Sequence, residues 1–171
     1  MKRATTIADL SMPAAGDNCI AVFLAPPLDD QEVSMTGEWP LQSFLELGPL
    51  KESARCAWQH AGQVIWEWGR SDLQFTCQLI VDELVSNAVR ASLVLDQFTP
   101  VRLWLLSDKE RVLILVWDAS PLPPCPAANP DPLAESGRGL YMVGQISEQW
   151  SWYYTADGGK TVWAVIREAV L

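Results

Sequence analysis

The sequence predicts an α+β domain, a two-layer sandwich with three helices on one face of a mixed, mostly antiparallel sheet. Three observations predict it. Two consecutive stretches with helical apolar spacing occupy positions 48–93. Two pairs of β-rich runs follow, each pair joined by a short polar or glycine-rich turn. A short third helical stretch lies between the pairs. Helices grouped beside hairpins, rather than alternating with single strands, segregate to one side of an antiparallel sheet.

Residues 1–40 are rich in Ala, Pro, Ser and Asp without a sustained period, and read as an irregular arm with a short strand at 20–24. The folded domain then spans 41–171. Its first strand is expected at 42–47. A helix is expected to open at Gly48-Pro49, with Pro at the first helical position, where a missing N–H does no harm. Leu50, Ala54, Ala57, Ala61, Ile65 and Trp68 give it an apolar stripe, and Gly69 supplies the stop. Ser71 and Gln74 have capping-box spacing, so a second helix is expected from there to about Leu93, with Leu73, Cys77, Ile80, Leu84 and Ala88 inward.

After Pro100 the period changes to that of strands. Runs at 101–106 and 112–117, separated by Ser107-Asp108-Lys109-Glu110, form a hairpin. The proline-rich segment 119–137 has no apolar period, and a loop of that length in a compact domain is expected to be a functional lid or disordered. A helix from Arg138 to about Glu148 follows. A closing hairpin pairs 150–154 with 161–167 across Ala156-Asp157-Gly158-Gly159.

A chain of 171 residues that is 49% apolar and 19% charged can bury a substantial single core. A net charge of −9 without a basic cluster argues against nucleic acid as a partner. Phosphate can still be held by backbone N–H groups and a metal ion. Cys19, Cys56, Cys77 and Cys125 have no metal-ligand or redox-pair spacing and fit a reducing compartment. The apolar run at 19–26 is too short for a membrane span. The expected location is the cytoplasm, away from membranes.

Four short motifs carry the chemistry. Glu83 and Asn87, at i and i+4, share one face of the second helix. An Asn carbonyl completing a phosphate-bound magnesium shell beside a carboxylate base would give a transfer site. Alone, such a pair is more often a solvated polar face. Asp118 ends a wholly apolar strand, where a carboxylate needs a partner such as the 6-amino group of adenine; a solvated loop start is the simpler alternative. Gly137-Arg138-Gly139-Leu140 opens a helix whose free N–H groups can meet phosphate, or is a plain loop-to-helix turn. Gly159-Lys160-Thr161 imitates a P-loop, but it leads into a strand and lacks the first glycine. Thr161 is expected at the adenine end beside Asp118, and Lys160 reads as a solvated turn residue. His60, on the first helix, is expected to have no acid or Ser partner and no role.

Taken in order, the stretches 83–90, 116–120, 135–140 and 158–163 resemble the histidine-kinase-like ATPase fold, also called the Bergerat or GHKL fold. The likeness extends over 42–167. It is greatest to the short stand-alone branch that includes bacterial anti-sigma-factor serine kinases. The resemblance implies ATP and Mg2+ as cofactors, Glu83 as general base and Asn87 as metal ligand. It implies adenine at Asp118, the nucleotide phosphates at Gly137 and Gly139, and an ATP lid over 119–137. It further implies an anti-anti-sigma-like protein substrate, a sigma factor as a second partner, and a homodimer as one expected form. A non-catalytic nucleotide-gated regulator and a simple ATPase are the alternatives. The chain departs from the pattern at Ala91, at Ala119-Ser120-Pro121 and at Glu135, where some relatives place a basic residue near the γ-phosphate.

Strand 112–117 is apolar on both faces, and Trp104, Trp117, Trp152 and Trp163 add bulk to the sheet. A second cover, from the arm, another subunit or a target protein, is therefore expected opposite the helices.

Overall fold

Strict alternation in the central strands decides which residues meet the helices. The computed structural model describes residues 39–95, 98–124 and 138–168, with Arg138 described in its backbone only. The arm other than Trp39 and Pro40, the strand expected at 20–24, and most of the expected lid lie outside the described residues.

The elements run β1 (Leu41–Leu47), α1 (Ser53–Glu67), α2 (Gln74–Leu93), β2 (Val101–Ser107), β3 (Arg111–Asp118), α3 (Arg138–Ile146), β4 (Gln149–Tyr154) and β5 (Lys160–Arg167). The sheet order is β1-β2-β3-β5-β4, and all four pairings among the described residues are antiparallel. β5 therefore inserts between β3 and β4, and α3 carries the chain across it. The α+β fold expected from the sequence is the one observed.

Three helices cover one face. Ala54, Ala57, Ala61 and Ile65 of α1 pack with Cys77, Ile80, Val81, Leu84 and Ala88 of α2 over Val101, Leu103, Ile114, Val116, Val162 and Ala164 of the sheet. The two long helices cross closely at Gly62, where any Cβ would overlap the Gln78 side-chain amide. Gln78 Nε2 donates to Trp58 O at 3.1 Å and Gln74 Nε2 to Gly62 O at 3.2 Å, so two glutamines tie α2 to the α1 backbone.

Those bonds explain one departure from expectation. Gln74 commits its amide to α1 instead of closing a capping box with Ser71, and α2 begins after Leu73 without a side-chain cap. A second departure lies at the α1 start. Ser53 Oγ donates to Gly48 O at 2.7 Å, which folds 48–52 into a tight turn and delays the helix past Pro49. The expected stop holds: Gly69 at φ +73° lets Arg70 N reach Ile65 O and Gly69 N reach Trp66 O, the paired bonds of a Schellman motif.

On the other face, Trp39, Trp104, Leu106, Leu113, Leu115, Trp163 and Val165 form a second buried cluster, joined by Phe44, Trp117 and Tyr153. Trp39, at the end of the arm, is 0% exposed there, with the Arg111 guanidinium 5.3 Å from its ring centre. Trp152 packs on the helix side, so Trp104, Trp117, Trp152 and Trp163 do add bulk to both sides of the sheet.

Candidate functional site

Helix-facing parity brings Val116, Asp118, Lys160 and Val162 to one row at the β3–β5 end, because Val116 stands opposite Val162 and Asp118 opposite Lys160. α2 supplies Leu84, Asn87, Ala88, Arg90 and Ala91 across from them, and α3 supplies Gly139 and Leu140. These residues enclose a cavity of about 280 Å3, closed on a third side by Ser120, Leu122, Pro123 and Pro124. That volume is close to the smallest ligand pockets, roughly 300 Å3. Its walls are mainly aliphatic and its polar groups sit at two ends.

At the first end Asp118, Ser120 and Lys160 are 2%, 1% and 4% exposed. Lys160 Nζ donates to Asp118 Oδ1 at 2.7 Å, and Ser120 N donates to the same oxygen at 2.9 Å. Burial pushes the Asp118 carboxyl up from the ordinary Asp range, and the hydrogen bond and charge of Lys160 oppose that. The chain after β3 is held by consecutive side-chain turns, Asp118 to Ser120 N and Ser120 Oγ to Leu122 N. Gly159 is packed against the same corner: at φ +78°, a Cβ there would overlap Asp118 O and Ala119 Cα.

At the second end the polar groups come from one helix. Glu83 is half-buried, and its carboxylate lies against Gly139, where any Cβ would overlap Oε2. A glycine at 139 is therefore what lets Glu83 stand beside the entry to α3. Burial raises the Glu83 pKa, Asp82 raises it further, and the Arg90 charge lowers it. Arg90 Nη2 donates to Asn87 Oδ1, and Arg90 Nε donates to Ser86 O at 3.3 Å.

The structure therefore brings Asn87, Asp118, Gly139 and Leu140 together around one cavity, with Glu83 adjoining it through Gly139. Gly137 and the Arg138 side chain lie outside the described residues. Thr161 is a correction. It pairs with Trp117, one residue out of step with Asp118, and so is buried on the opposite side of the sheet instead of beside the cavity. Lys160 is the converse correction: it is a buried partner of Asp118, not a solvated turn residue. Counting back by two from Val162, whose apolar row faces the helices, would have found it. Ser120 and Arg90 were also passed over; Arg90 sits one turn after Asn87, a spacing that signals a shared helix face. His60 is a further correction: it does have a serine partner, bonding Ser43 at 2.8 Å, which joins α1 to β1, and it does not line the cavity.

Asn87 Oδ1 has two lone pairs, and Arg90 uses one. Among the described residues there is no group of three His, Cys, Asp or Glu side chains that could hold a metal. The donor set thus fits a cation that brings phosphate and water ligands with it, and does not fit a resident ion. No helix of the described residues is long and apolar enough to cross a membrane.

An antiparallel sheet with three helices on one face, and a cavity bounded by the middle helix, a strand-end Asp and a helix-opening glycine, define an ATPase-type domain. The family model of the histidine kinase-like ATPase domain matches residues 50–166, and the chain belongs to that family. No curated protein matches it.

Proposed function

We propose that this protein is a Mg2+·ATP-dependent regulatory serine/threonine kinase of anti-sigma-factor type, acting on a serine of an anti-anti-sigma-like partner. The observation that carries the reading is Glu83, a carboxylate with raised proton affinity held beside Gly139, which lines the cavity. In this reading adenine lies between the aliphatic walls against Asp118, and the phosphates extend past Asn87 and Arg90 toward the α3 N-terminus. Bound magnesium would neutralise charge on the phosphate oxygens, with Asn87 as its protein ligand. The partner's serine oxygen attacks the γ-phosphorus, its proton passes to Glu83, and the bond to the bridging oxygen breaks to leave ADP. Positioning and charge stabilisation supply most of the rate.

One observation favours a second reading, a non-catalytic regulator gated by nucleotide. Arg90 takes one lone pair of the Asn87 oxygen, and its positive charge opposes a cation at the other. The deciding experiment incubates the full chain with γ-labelled ATP and candidate partner proteins and scores labelled serine. Glu83→Gln should retain ATP affinity and lose transfer by at least ~100-fold, the scale of a general base. Transfer at the wild-type rate would remove Glu83 from catalysis. ATP binding with no labelled partner would favour the regulator.

A further inference from the structure

The Lys160 ammonium sits where a turn lysine is not expected. Its side chain is 6% exposed, it lines the cavity, and its Nζ lies 2.7 Å from Asp118 Oδ1. Register explains how it comes there, since β5 starts at Lys160 directly opposite Asp118. Register does not explain why a charge is kept there. Burying an ammonium carries a desolvation cost that a single ion pair offsets only with good geometry, and an apolar pair of similar volume often serves stability as well.

The chemistry of the pair is informative. An ammonium has three N–H donors and no acceptor. Among the described residues, Asp118 is its hydrogen-bond partner, which leaves donors for a ligand. A carboxylate only accepts. Side by side on one row of the sheet, the two groups offer adjacent acceptor and donor functions at the wall formed by Val116 and Val162.

We propose that Lys160 is a base-reading residue that acts with Asp118 on the pyrimidine-ring edge of adenine. Asp118 accepts a hydrogen bond from the 6-amino group while the Lys160 ammonium donates one to the neighbouring N1. This rests on the ATP-binding reading and adds the second half of the recognition. Adenine presents donor then acceptor at positions 6 and 1. Guanine presents the reverse, so in the same orientation it would set O6 against the carboxylate and N1–H against the ammonium. Two matched contacts become two mismatched ones, a stronger rejection than Asp118 alone provides. Thr161, on the far side of the sheet, takes no part.

The test is calorimetric binding of ATP, 1-deaza-ATP and 7-deaza-ATP to the full wild-type chain with magnesium present. 1-Deaza-ATP lacks only the acceptor assigned to Lys160. It should bind ~10- to 100-fold more weakly than ATP, as expected for a lost hydrogen bond to a charged group. 7-Deaza-ATP, altered on the other ring, should bind like ATP. In Lys160→Met the preference for ATP over 1-deaza-ATP should vanish. Equal wild-type binding of ATP and 1-deaza-ATP overturns the proposal and leaves the ATP reading standing. So does a 7-deaza-ATP loss as large as the 1-deaza-ATP loss, or a full preference kept by Lys160→Met. Wild-type chain that binds none of the three removes both readings. The wild-type comparison decides the matter even if the Met variant fails to fold.

Discussion

The two ends of the cavity are built on opposite terms. At the base end, Asp118, Lys160 and Ser120 are almost wholly buried, fixed by the β3–β5 register, and satisfied by one another. At the other end, Glu83, Asn87 and Arg90 come from a single flank of α2 and are partly or fully exposed, with Glu83 against the first turn of α3. Strand pairing and mutual hydrogen bonds fix the first group in place. The second group is held by no strand register and is more open to solvent. On the proposed reading, recognition falls to the buried set fixed by strand register, and transfer chemistry to the more exposed set on one helix flank.

The sharpest way to break that contrast is to remove one charge from each end. Asp118→Asn leaves the Lys160 ammonium buried without its counter-charge, a loss of about 3–5 kcal/mol for a broken buried pair. ATP binding should fall with it. Glu83→Gln removes a half-exposed carboxylate that burial disfavours, and should change stability by less than ~1 kcal/mol. Urea unfolding of both variants measures the difference; equal destabilisation would show that the two ends are not built differently.

A smaller effect separates two adjacent glycines. Gly158 and Gly159 both have positive φ, +93° and +78°, but only Gly159 abuts backbone, at Asp118 O and Ala119 Cα. Gly158→Ala should cost about 1 kcal/mol of backbone strain. Gly159→Ala adds a clash with the corner that carries Asp118, so it should reach the upper part of the ~1–3 kcal/mol range and weaken ATP binding as well. Thermal melts with and without ATP read both effects. If the two variants behave alike, the Gly159 contact does not support the base end.

The same contrast explains what could be read from the sequence. The α2 flank was legible because i, i+4 spacing alone puts Glu83 and Asn87 together, whatever the rest of the fold does. The hairpins were legible because period-2 runs and turn residues are local signals. The base end depends on register, and a shift of one residue changes the side of the sheet. Asp118 was recognised from its own strand, but its partner lies 42 positions away, and only the pairing of Asp118 with Lys160 shows that Lys160 shares its side. The α1 and α2 starts were displaced for a related reason. The Ser53 bond to Gly48 and the Gln74 bond to Gly62 O depend on local geometry and tertiary contact that spacing does not reveal.

The finest probe of the helix-flank end is the protonation of Glu83, because the general base proposed for it works only when ionised. Burial first, and then Asp82, raise its pKa above the ordinary Glu value, while Arg90 lowers it. Transfer should therefore decline, as pH falls, from a point above that of an ordinary glutamate. Linkage to folding has the matching sign: the protonated form is favoured in the fold, so this stabilising contribution is present at low pH and lost as pH rises through the folded pKa. Asp82→Asn removes a raising charge and should move the acidic limb of kcat to lower pH. Arg90→Ala removes the lowering charge and should move it to higher pH, with ATP saturating so that weaker binding does not mask the shift. Opposite displacements of one limb by two neighbours on the same helix would identify Glu83 as the titrating base. A limb that neither substitution moves would assign the proton to another group.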